Sequence, residues 1–270
     1  MKIKSLILSL LLTLTTFAGS SQNIDNLSRE QVQQLMSMIC QQMSSPEMSQ
    51  SMGKMFGPGA GLKADIVNDN IFRMQYTVPG YELDNSPEEQ ALTEVCIMAG
   101  GKQNPESYKN FFTQLLKKGG FNMQVVYTDG GSHQCVLDLT PDQIYNLWSG
   151  NPKAAGLNPE LAKKGLLKTF SASMKGMSEE DISYSTDIED KWLLMGINYE
   201  NPEGYDTNSF PSIKSNILEE YRTDPTVAMI ATILSSEKEF MGVDGLKIRS
   251  YIKGVPDKEF TITWEEMTNN

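Results

Sequence analysis

From Phe121 to Leu139 the chain reads FNMQVVYTDGGSHQCVLDL, apolar side chains alternating with polar ones on both sides of a glycine-rich break. Phe121, Met123, Val125 and Tyr127 share one face of a first predicted strand; Cys135, Leu137 and Leu139 share a face of a second. Asp129-Gly130-Gly131-Ser132 supplies the left-handed residues that a tight connection needs, so the stretch predicts a β-hairpin. The pattern returns 125 residues later, where Phe121, Met123 and Tyr127 find Leu246, Ile248 and Ile252. In the same register Cys135, Leu137 and Leu139 find Phe260, Ile262 and Trp264.

The elements before each hairpin also recur. Ser28 and Gln31 have capping-box spacing, and Val32, Leu35, Met36, Ile39, Cys40 and Met43 follow at helical intervals. A Met-rich stretch after Pro46 ends at Gly57-Pro58-Gly59-Ala60-Gly61. Ala64 and Ile66, then Phe72, Met74, Tyr76 and Val78, alternate around the turn Asn68-Asp69-Asn70. Ser86-Pro87, Asn104-Pro105 and Thr140-Pro141 open helices, with proline in the first turn where its missing N–H is harmless. Helix starts recur at Asn158-Pro159 and Asp224-Pro225, and the strand Leu193, Met195, Ile197, Tyr199 matches Phe72, Met74, Tyr76, Val78 at an offset of 121.

This order predicts an α+β fold made by tandem duplication. Residues 1–22 read as a signal peptide, 23–149 as the first α+β repeat and 150–270 as the second. Each half is expected to run helix, β-hairpin, two helices, second β-hairpin. That gives four-stranded antiparallel sheets covered by helices and related by a pseudo-two-fold.

The leader changes the expected compartment. Lys2 and Lys4 precede an apolar run from Leu6 to Phe17, and Ala18-Gly19-Ser20 offers small residues for cleavage. The run is too short to span a bilayer, and no later stretch qualifies, so no transmembrane segment is expected in the mature chain. The first cysteine, Cys40, lies far beyond any cleavage site, so no lipobox cysteine is present; the expectation is a periplasmic or secreted protein.

Without Lys2 and Lys4 the chain keeps 21 of its 23 basic residues against 34 acidic ones, a net charge of −13. That excess argues against nucleic acid, whose phosphates demand lysine and arginine clusters, and against anionic membrane surfaces. Three cysteines are too few for a disulfide scaffold; Cys96 and Cys135 form the candidate bridge, against the plainer reading of three small buried hydrophobes.

Catalytic chemistry is sparsely signalled. His133 is the only histidine, so any Ser-His or Cys-His catalyst must use it, yet it sits beside the hairpin turn as a solvated residue would. Met36, Met43, Met48, Met52 and Met55 are candidate thioether ligands for Cu(I), weighed against their helical spacing, which suits core packing. The acidic runs Glu179-Glu180-Asp181 and Asp187 to Asp190 lack the alternation and glycine of a calcium loop. Tyr81 and Tyr205 fall at equivalent loop positions and are the candidate ligand-binding aromatics. No cofactor motif is present: the glycine-rich turn at Gly57 has no preceding apolar strand and no following Lys-Ser/Thr.

These features predict a non-catalytic binding or interaction protein of the bacterial envelope, with a protein, peptide or small-molecule partner. The alternatives are a carboxylate-dependent hydrolase acting on glycans and a Met-rich copper-binding protein.

Overall fold

The computed structural model describes residues 24–56, 58–77, 84–175, 180–201, 210–223 and 225–268. The leader 1–22 lies outside the described residues. The chain divides into two compact units between Asn158 and Pro159.

In the first unit a 3-10 turn, Ile24–Asn26, leads to α1 (Arg29–Met43) and α2 (Pro46–Phe56). Ser28 caps α1 in a reciprocal box: its hydroxyl accepts from the Gln31 N–H, and Gln31 Oε1 accepts from the Ser28 N–H at 2.7 Å. Strands β1 (Gly61–Val67) and β2 (Ile71–Thr77) form an antiparallel hairpin. After α3 (Pro87–Lys102) and α4 (Glu106–Gly119) come β3 (Asn122–Thr128) and β4 (Gln134–Leu139), the antiparallel hairpin predicted from the alternation. Thr140 then caps α5 (Pro141–Trp148) with Gln143 in a second box, and the short α6 (Pro152–Ala155) packs on α5. That packing keeps residues 150–158 with the first unit.

Strand order is β1-β2-β3-β4, and the central pair β2/β3 is parallel, with Phe72 opposite Met123 and Met74 opposite Val125. The sheet is therefore mixed, not antiparallel throughout as the sequence suggested. Alternation reports which face a residue takes and is silent on strand direction. The two helices between β2 and β3 form a crossover long enough to return the chain to a parallel start.

One sheet face is the core. Phe72, Met74, Met123, Val125, Leu137 and Leu139 are buried on it beneath helices that carry Val32, Met36, Val95, Met98, Phe112, Leu115, Ile144 and Leu147. Phe72 meets Phe112 edge-on with centroids 5.9 Å apart, and Phe112 lies 5.3 Å from Trp148.

The second unit has the same plan. It comprises α7 (Pro159–Lys175), β5 (Ile182–Glu189), β6 (Trp192–Tyr199), α8 (Phe210–Thr223), α9 (Pro225–Ser236), α10 (Lys238–Met241), β7 (Gly245–Ile252), β8 (Val255–Thr263) and α11 (Trp264–Thr268). Its sheet is ordered β5-β6-β7-β8, again two hairpins joined through a parallel pair, with Leu193 opposite Leu246 and Met195 opposite Ile248.

The two registers match residue by residue except at the far end of β7/β8, where the pairing shifts between Ser250 and Tyr251. Phe72 corresponds to Leu193, Met74 to Met195, Ala64 to Thr186 and Met123 to Leu246. The second hairpin therefore repeats at an offset of 123, where the alternation suggested 125. Because strand periodicity is two, a two-residue slip keeps every side chain on its face and leaves no trace in the pattern.

Candidate functional site

Tyr81 and Tyr205 lie outside the described residues, as does the side chain of Met55. The structure buries Met36, Met43, Met48 and Met52 in the packing of α1 and α2. Among the described residues no group of three or more His, Cys, Asp or Glu side chains could hold a metal ion. No helix among them is long and apolar enough to cross a membrane.

Cys40, Cys96 and Cys135 are free thiols. Burial pushes each up to about 11, so little thiolate forms near neutrality. Cys135 Sγ lies 3.8 Å from Thr93 Oγ1, and Cys135 stands opposite Tyr127 across the β3/β4 ladder. Tyr127 stacks on Tyr76 with centroids 5.0 Å apart, and burial raises both phenols. This end of the core is packed against ionisation.

His133 is exposed at the β3–β4 connection, with Nδ1 2.7 Å from Asp129 Oδ2. Asp129 Oδ1 accepts the Gly131 N–H at 2.7 Å, so the carboxylate brackets its own turn. The His133 hydrogen bond first, then that N–H, hold the Asp129 carboxyl below its ordinary range. The arrangement orders a loop.

The polar face of the second sheet shows a cluster that alternation alone does not assemble. Arg249 on β7 donates through Nη1 and Nη2 to the two oxygens of Glu189 at 2.7 and 2.8 Å, and through Nε to Glu259 at 3.0 Å. Lys247 adds a 3.2 Å contact to Glu189. The hydrogen bonds from Arg249, then from Lys247, hold the Glu189 carboxyl down to about 2. Gly196 lies within this face because a Cβ there would meet Ser185 Oγ at 2.3 Å and the Tyr251 ring at 3.0 Å. The missing signal is strand order: β6 separates Glu189 from Arg249, and no local spacing reveals that.

β5 is the outer strand of that sheet. Its hairpin to β6 closes through Asp190 and Lys191, so Ser183, Ser185, Asp187 and Glu189 bond to β6. The backbone groups of Tyr184 and Thr186 therefore point away from the sheet. Ser183, Ser185 and Asp187 are exposed on the polar face.

No protein-family model, curated protein or solved structure matches the chain.

Proposed function

We propose that the chain is a non-catalytic binding or interaction protein, exported to the periplasm or beyond the bacterial envelope. The observation that carries this reading is the outer strand β5 of the second unit, which presents outward backbone groups and the exposed Ser183, Ser185 and Asp187. The buried thiols and the turn-bracketing His133 support it, because each of these reactive groups has a packing or loop-ordering role. The shared registers of the two sheets support descent of both units from one ancestral copy.

Native mass spectrometry of protein purified from the producing cells, against a denatured control, tests the reading. Extra mass lost on denaturation is the expected result. A hydrolase activity that disappears in His133→Ala would overturn it.

One observation favours a second reading. Burial on α3 holds the Glu94 carboxyl above its ordinary range, as the acid of a glycan hydrolase requires. Glycan cleavage lost in Glu94→Gln would establish that alternative.

A further inference from the structure

The first strands of the two sheets are equivalent, and among the described residues only β1 has outward backbone groups bonded by a side chain from another element. At the outer edge of β1, Ser44 Oγ bonds both backbone groups of Ala64, and α2 packs along the strand. Thr186 is the residue of β5 that corresponds to Ala64. There the neighbouring helix offers Ser171, whose hydroxyl bonds the Thr186 hydroxyl and leaves its backbone alone. Six residues separate Lys175 from Ile182, where seventeen, including the eleven-residue α2, separate Met43 from Gly61. Among the described residues no side chain bonds the outward N–H or C=O of Tyr184 or Thr186.

The charges differ in the same direction. Asp65 on β1 is neutralised by its cross-strand partner Arg73, with contacts of 2.8 and 2.6 Å. The equivalent Asp187 stands opposite Leu194, and among the described residues its bond is from the Ile188 N–H at 2.8 Å. Asp187 thus lies exposed at this edge, where it caps the outward N–H of Ile188 and leaves those of Tyr184 and Thr186, with Asp181 and Asp190 exposed at either end of the strand.

We infer that the outer edge of β5 takes an extended basic peptide as a fifth strand. Main-chain bonds to Tyr184 and Thr186 supply affinity, and a lysine or arginine opposite Asp187 sets register and selectivity. Apolar residues of the peptide alternate with its basic ones, extending the face of Tyr184 and Ile188. This rests on the binding reading above and names the site and ligand class.

The test uses the full chain and three synthetic peptides of about ten residues, a common strand length. One alternates valine with lysine, one valine with glutamate, and one is the valine–lysine peptide N-methylated at alternate amides. The valine–lysine peptide is expected to bind and to slow hydrogen exchange at the Tyr184 and Thr186 amides. The N-methylated form should not bind, and Asp187→Lys should weaken the valine–lysine peptide about fivefold while strengthening the valine–glutamate one. Thr186→Pro, which removes an outward N–H without touching the β6 ladder, should abolish binding. Equal binding of the N-methylated peptide, no binding of any peptide, or protection at other amides would overturn the β5 assignment. In that last case the binding reading itself stands. Protection at Tyr184 and Thr186 that grows with protein concentration alone would assign the edge to a second copy and overturn the peptide. Cleavage of a bound peptide would overturn the non-catalytic reading while leaving the edge in place.

Discussion

Ser44 closes the edge of β1 at Ala64 with a single hydroxyl. Its Oγ donates to the Ala64 carbonyl at 3.0 Å and accepts from the Ala64 N–H at 2.8 Å. Unpaired strand edges invite pairing with other chains, and one oxygen that satisfies both groups of one residue blocks that approach. The C-cap of α1 is thus also the guard of a sheet. Ser44→Ala leaves two partly buried backbone groups without partners and should cost about 1–3 kcal/mol of stability. Ser171→Ala removes a hydroxyl–hydroxyl contact and should cost less than about 1 kcal/mol. Urea melts of the two variants check the asymmetry; equal losses would refute the guarding role.

Gly101 allows α3 to approach α5 closely. A Cβ at this position would lie 1.8 Å from Trp148 Cδ1, inside the aromatic group that Trp148 forms with Tyr108 and Phe112. Alanine favours helix over glycine by about 0.5–1 kcal/mol, but overpacking a core costs about 1–3 kcal/mol. Gly101→Ala is therefore expected to be a net loss, with tryptophan emission altered in the folded state. A stabilised variant with unchanged emission would show that the Trp148 ring is free to move aside.

Glu189 makes stability depend on pH in one direction. Its folded carboxyl is held down to about 2, below the 4.5 of an unperturbed glutamate, by Arg249 and then Lys247. The unfolded chain therefore takes up a proton first as pH falls. The stabilisation is fully present above about 4.5 and is lost as pH drops through about 2. Glu189→Gln should be less stable than wild type at neutral pH, with the gap narrowing below pH 4.5 and closing near 2. Urea midpoints measured across that range test this; a gap that stays constant would remove the ion pair as its cause.

The parts of the fold legible in the chain are those written in nearest neighbours. Ser28 with Gln31 and Thr140 with Gln143 announce their caps by three-residue spacing, and both boxes form. Alternation from Met123 to Tyr127 and from Cys135 to Leu139 placed the hairpin and its buried face. Relations between distant strands were not legible. The parallel join of Phe72 to Met123, the repeat offset of 123 and the reach of Arg249 past β6 to Glu189 all depend on strand order. The contrast between Asp65 and Asp187 was hidden for the same reason, since an aspartate's neutralisation depends on the residue paired across the ladder.

The thiols give a test of packing that is independent of any ligand. Burial holds Cys40, Cys96 and Cys135 up at about 11, against an ordinary value of 9. At pH 8 that leaves about one thiol in a thousand ionised, and only the thiolate attacks a disulfide reagent. Native protein should react slowly with such a reagent, and all three thiols should react fast in denaturant. The sign for stability follows from raised folded values: the contribution is full below about 9 and is lost as pH rises through about 11. Stability should therefore decline between pH 9 and 11, and less steeply in Cys135→Ala, where one of the groups is gone. A count of one thiol in denaturant would instead reveal a bridge, with Cys96 and Cys135, both beside Tyr127, as the pair to test by substitution.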